Sequence, residues 1–113
     1  MQSETLHAVT AQTFDHEVLA SDVPVLVDFT TAWCGPCKAL TPILARIAAE
    51  GAGRVKVCTV DGDAQPELIT RFGVRGYPTV IAFGGGRELA RNLGLAPRER
   101  LLRLVEAHPV ASR

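Results

Sequence analysis

Ala32-Trp33-Cys34-Gly35-Pro36-Cys37-Lys38 follows the apolar run Val25-Leu26-Val27-Asp28-Phe29 and precedes a stretch with helical periodicity. On an ideal helix, positions i and i+3 are separated by about 4.5 Å of rise and about 300° of rotation, so their α-carbons lie roughly 5 Å apart. That separation falls inside the window for a disulfide. A helix N-terminus also presents unpaired N–H groups and the positive end of its dipole, and both favour thiolate over thiol at the first sulfur. The stretch therefore predicts a redox pair at a strand-to-helix junction, with Cys34 as nucleophile and Cys37 as its resolving partner. Taken alone, Cys-x-x-Cys is also compatible with a zinc site or an inert pair.

Outward from this point, periodicity predicts alternating strands and helices. Val25 to Phe29 is nearly continuous in apolar residues, as a strand buried on both faces must be. Leu40, Ile43, Leu44 and Ile47 form an i, i+3, i+4, i+7 stripe on the following helix, with Pro42 inside it as a kink. Gly51-Ala52-Gly53 ends that helix, and Val55 to Asp61 reads as an alternating strand paired in parallel with the first. Before them, Leu6 to Val9 predicts an edge strand, and Thr10 caps a helix carrying Phe14, Val18 and Leu19. After them come a short helix from Pro66, closed by Gly73, then an antiparallel hairpin of Thr79 to Phe83 with Glu88 to Leu93. Pro97 starts a final helix whose Leu101, Leu102, Leu104 and Val105 face the sheet. The redox pair then lies beyond a strand's carboxyl end, where open α/β sheets place their sites. Pro109 to Arg113 reads as a frayed tail.

The 113 residues, 47% of them hydrophobic, suffice for one core and predict a single domain over 1–113. Twelve basic and 12 acidic residues cancel, which gives no electrostatic footprint for nucleic acid or an anionic membrane. Protein partners are the expectation. No stretch approaches the roughly 18 apolar residues of a membrane span, and Met1 to Thr5 lacks the basic flank and apolar core of a leader, so the expected location is cytoplasmic. Three cysteines, two of them close, do not make a secreted disulfide framework. Cys58 sits mid-strand as a buried small hydrophobe, and His7, His16 and His108 show no ligand spacing. Gly84-Gly85-Gly86 precedes a strand, which favours a hairpin turn over a phosphate loop.

Val27-Asp28-Phe29, Trp33-Cys34-Gly35-Pro36-Cys37-Lys38, Pro42, Asp61, Gly73-Val74-Arg75-Gly76-Tyr77-Pro78-Thr79, Phe83 and Gly94 together resemble the thioredoxin family over about Leu6 to Ala107. The resemblance implies an α/β thioredoxin fold, a five-stranded mixed sheet flanked by four helices. It implies reversible dithiol-disulfide exchange as a protein-disulfide reductase, with no bound cofactor or metal. Electrons would come from NADPH through a separate thioredoxin reductase. The partners would be that reductase and disulfide-containing proteins, met by a monomer. A thioredoxin-fold binding or chaperone subunit with incidental redox activity is the rival expectation.

Residue by residue, Gly35-Pro36 is a neutral spacer that adds no positive charge beside the thiolate and so favours reduction over oxidation. Asp28 is an ionisable group in an apolar strand, where burial should raise its pKa toward neutrality. A paired structural carboxylate is the alternative on residue type alone, whereas the resemblance assigns it to deprotonation of Cys37. Two departures bear on it. Thr30 stands where most of the family has an aromatic, and Thr59 replaces a buried lysine, so Asp28 should lack a cation and rise further. Pro78 reads as a turn before a strand, and the resemblance implies a cis Tyr77-Pro78 peptide that offers the Tyr77 backbone to an extended substrate. Trp33, Gly76, Tyr77, Gly94 and Leu95 resemble an apolar substrate rim, with glycines permitting close approach. Leu93 fits either that rim or the core.

Overall fold

The computed structural model describes residues 6–107. Met1 to Thr5, read as lacking the marks of a leader, His108 and the expected frayed tail from Pro109 lie outside the described residues. Five strands form one mixed sheet in the order β1-β3-β2-β4-β5: β1 is Leu6–Ala8, β2 Val25–Thr30, β3 Lys56–Asp61, β4 Thr79–Gly84 and β5 Arg87–Leu93. β1 and β2 each pair in parallel with β3, while β4 runs antiparallel to both β2 and β5. The apolar run of β2 is central, and all of Val25 to Phe29 is buried.

Helices cover both faces, as the resemblance implied: α1 over Gly35–Glu50, α2 over Pro66–Phe72, α3 over Arg98–Glu106 and a π-helical turn over Asp15–Leu19. That turn is where the fold departs from the sequence reading. Thr10 does cap, accepting the Thr13 amide on its hydroxyl at 3.2 Å while its own amide donates to Thr13 Oγ1 at 2.9 Å. Beyond it, the Ala20 amide reaches back to the Asp15 carbonyl, an i→i+5 bond. The wider turn still seats Phe14 and Val18 in the core, so burial overrides the regular helical spacing.

Strand alternation divides the core in two. Val25, Val27 and Phe29 enter a cluster with Phe14, Cys58 and Phe83. Leu26 points the other way, into a cluster with Leu40, Leu44 and Ile47 of α1 and Leu101 of α3. Leu102, Leu104 and Val105 are partly buried against that second cluster. α1 continues through Pro42. Gly73 closes α2 in the left-handed region, φ 63°, where its missing side chain removes the steric penalty.

Candidate active site

Cys34 is the N-cap of α1, with Gly35 and Pro36 in its first turn, where a proline's missing N–H costs nothing. The two cysteines are joined as a disulfide, with α-carbons 5.3 Å apart as the helical spacing required. The Cys37 amide donates to Cys34 Sγ at 3.1 Å. A free thiolate on Cys34 would thus meet a helix N–H and the positive dipole end. Both cysteines are buried, Cys34 5% exposed and Cys37 2%.

Asp28 shares a strand face with Leu26, which packs beneath Leu40 and Leu44. Cys37 continues that buried stripe of α1 one turn toward the helix start. The carboxyl therefore lies on the α1 side of the sheet, toward the end that carries the thiols. It is 2% exposed, and Oδ1 has no hydrogen-bond partner among the described residues. Burial raises its pKa from 3.8 to about 7, with no charge contributing. The register explains the missing cation: Thr59 stands opposite Asp28, and Lys56, three residues back on β3, gives its ammonium to Glu17 at 2.7 Å.

Beside Cys37, Thr30, Thr31, Lys38, Thr41 and Asp61 line an open cleft of about 320 Å³. The Thr31 hydroxyl is buried without a partner among the described residues, a feature that no local sequence pattern signals. Across the sheet, Phe29 pairs with Thr79, so Pro78 lies level with the end of β2. Tyr77-Pro78 is cis, as the resemblance implied. The Pro78 carbonyl accepts the Gly94 amide at 2.7 Å, which ties the rim segments Gly76 to Pro78 and Leu93 to Leu95 together.

A family model described as Thioredoxin matches residues 5–107. The chain belongs to the thioredoxin family. It is 42% identical over 100 residues to Thioredoxin 1 of Nostoc sp., covering 88% of this chain and 94% of that protein. It is 45% identical over 94 residues to a thioredoxin of Rickettsia felis, covering 83% and 90%. Thioredoxin M4, chloroplastic, of Arabidopsis thaliana is 43% identical over 90 residues, 80% of this chain and 47% of that protein. Thioredoxins are thiol-disulfide oxidoreductases, and this chain, with its paired cysteines, is a protein-disulfide reductase. The family needs no bound cofactor for the exchange.

The thioredoxin rim is more exposed than the core reading of Leu93 allowed: Trp33 is 69%, Leu93 65% and Leu95 54% exposed. Leu93 is thus a surface residue, because it is the last residue of the edge strand β5. Trp33 stands edge-on to Tyr77, with ring centroids 5.9 Å apart, and its indole N–H donates to Asp63 at 2.9 Å. Asp63 had no signal of its own, since it lies two residues past the strand read from Val55 to Asp61. Cys58 is fully buried, and burial pushes its thiol up to about 11. His7 and His16 are exposed, and among the described residues no three His, Cys, Asp or Glu side chains gather to hold a metal ion. No helix there is long and apolar enough to cross a membrane.

Proposed function

We propose that Cys34 attacks a substrate disulfide and Cys37 resolves the product. In the first step the Cys34 thiolate displaces one substrate sulfur as a thiolate and forms a mixed disulfide. The Cys37 thiolate then attacks Cys34 Sγ, releases the second substrate sulfur and leaves the Cys34-Cys37 disulfide, two electrons having passed to substrate. The observation that carries this order is the Cys37 amide on Cys34 Sγ at the start of α1, which favours the anion on the first sulfur. Gly35 and Pro36 add no further charge, which keeps the pair reducing.

Resolution requires Cys37 to lose a proton in a buried place. Asp28 is assigned as the acceptor, because a carboxyl with a pKa of about 7 is half-ionised at neutral pH and exchanges protons readily there. Trp33, Gly76, Tyr77, Pro78, Gly94 and Leu95 receive the substrate. The Tyr77 backbone pairs with an extended segment, and the exposed Trp33 and Leu95 cover its apolar side chains.

The chain acts as one domain over 1–113, as a monomer, reduced by NADPH through a separate thioredoxin reductase. The cytoplasm is the proposed compartment. A reducing dithiol is useful where thiols are kept reduced, although the relatives include chloroplastic as well as bacterial thioredoxins. Dithiothreitol-driven reduction of insulin tests the reading. The wild type should accelerate it and Cys34→Ser should leave the uncatalysed rate; no acceleration by either would point instead to a binding module.

A further inference from the structure

The loop that ends β3, Asp61-Gly62-Asp63-Ala64, has no part in the exchange described above, yet both aromatic rings of the rim rest on it. Trp33 donates its indole N–H to Asp63 Oδ2 at 2.9 Å. Tyr77, edge-on to Trp33 at an interplanar angle of 86°, lies against Gly62 so closely that a β-carbon there would fall on its Oη, Cζ and Cε1 atoms. Gly62 is not among the glycines with positive φ, so what position 62 requires is space rather than an unusual backbone.

The loop is itself anchored. Gly62 is buried, and its amide donates to the Thr30 carbonyl at 2.8 Å, at the end of the strand that leads to Cys34. Asp61 Oδ1 accepts the Asp63 amide at 3.0 Å, fixing the turn. Burial and then the Asp63 and Asp61 carboxylates hold the Tyr77 phenol above its ordinary pKa, as expected for a hydroxyl facing this loop.

We propose that Gly62 and Asp63 are positioning residues for substrate recognition: the glycine seats the Tyr77 ring, the carboxylate holds the Trp33 indole, and the loop presents both as one fixed aromatic corner. This rests on the reading that Trp33 and Tyr77 contact substrate. Rings held in place before binding lose little freedom on contact, which strengthens association with a segment that reaches them. The favoured substrate class is a disulfide flanked by extended chain with an apolar side chain, over a small disulfide with no chain to lay on the corner.

The test measures KM and kcat for insulin with dithiothreitol as reductant, alongside the rate with 2-hydroxyethyl disulfide. Gly62→Ala and Asp63→Ala should each raise the insulin KM roughly 2- to 10-fold, the range of one aromatic contact. The rate with the small disulfide should fall by less than insulin kcat/KM does. Asp63→Asn keeps an acceptor oxygen and should restore the wild-type KM. The chain has 1 tryptophan, so fluorescence anisotropy reports Trp33 alone and should fall in both disruptive variants. If Gly62 acts through the ring, Gly62→Ala should add nothing in a Tyr77→Ala background.

A Gly62→Ala effect that is additive with Tyr77→Ala, or absent while Tyr77→Ala raises KM, overturns the positioning role. An unchanged KM in Tyr77→Ala overturns the rim reading beneath it instead. Should Gly62→Ala fail to fold, an unchanged KM in Asp63→Ala overturns the positioning role.

Discussion

On one face of β2, Val27 and Phe29 enter an apolar cluster that also holds Cys58; on the other, Leu26 packs beneath α1, and the next residue in its row is Asp28. Both titratable groups are buried, and burial is the leading cause of both pKa shifts. The outcomes differ because the starting values differ. A thiol that begins at 9.0 is pushed to about 11 and stays neutral at physiological pH. A carboxyl that begins at 3.8 is pushed to about 7, into the range where exchange runs. One physical cost thus silences a group on the packing face and makes another responsive on the reactive face.

The largest expected effect lies on the packing face. Phe29→Ala should lower stability by about 3–5 kcal/mol in urea titration, the usual cost of truncating a fully buried phenylalanine. A loss under about 1 kcal/mol would mean that this face is not the close-packed one.

Next comes Asp28→Asn. The folded pKa is raised, so the carboxyl's contribution is fully present below pH 3.8, is lost as pH rises to about 7, and is flat above that. At pH 8 the variant should therefore be the more stable by up to about 4 kcal/mol. The stability difference between the two proteins should change between those pH values, and a difference independent of pH would erase the contrast between the faces. In stopped-flow kinetics the same variant should slow resolution, by about 100-fold or more if Asp28 is the proton acceptor, and initial attack much less.

A smaller effect is expected from Arg71→Ala. The guanidinium lies 5.5 Å from the Phe14 ring centroid and 5.0 Å from that of Phe72, and it bonds Asp15 at 2.9 Å. It closes the edge of the packing face, and its loss should cost about 1 kcal/mol in urea titration. The smallest is Cys58→Val, expected within about 1.5 kcal/mol of wild type with unaltered exchange kinetics. A changed exchange rate would give Cys58 a role that its surroundings deny.

Short-range pattern made most of this legible. The Cys34-Cys37 spacing, the apolar run interrupted by Asp28 and the Gly73 stop are local, and even the missing cation could be read from Thr59. What the sequence did not disclose depends on the meeting of distant segments. Asp63 holds a ring 30 positions away, and the Gly62 seat exists only because Tyr77 folds onto it. The π-helical turn escaped notice because Phe14, Val18 and Leu19 fit an ordinary helix, and core packing, not spacing, set its width. Leu93 was ambiguous because an apolar residue at a strand end carries no mark of which side is wet.

The order of attack is tested most directly by trapping. Incubated with a disulfide-bonded protein and analysed by mass spectrometry without reductant, Cys37→Ser should accumulate a covalent mixed disulfide through Cys34, and Cys34→Ser should accumulate almost none. Equal adduct from the two variants would contradict the assignment of Cys34 as nucleophile and Cys37 as its resolving partner.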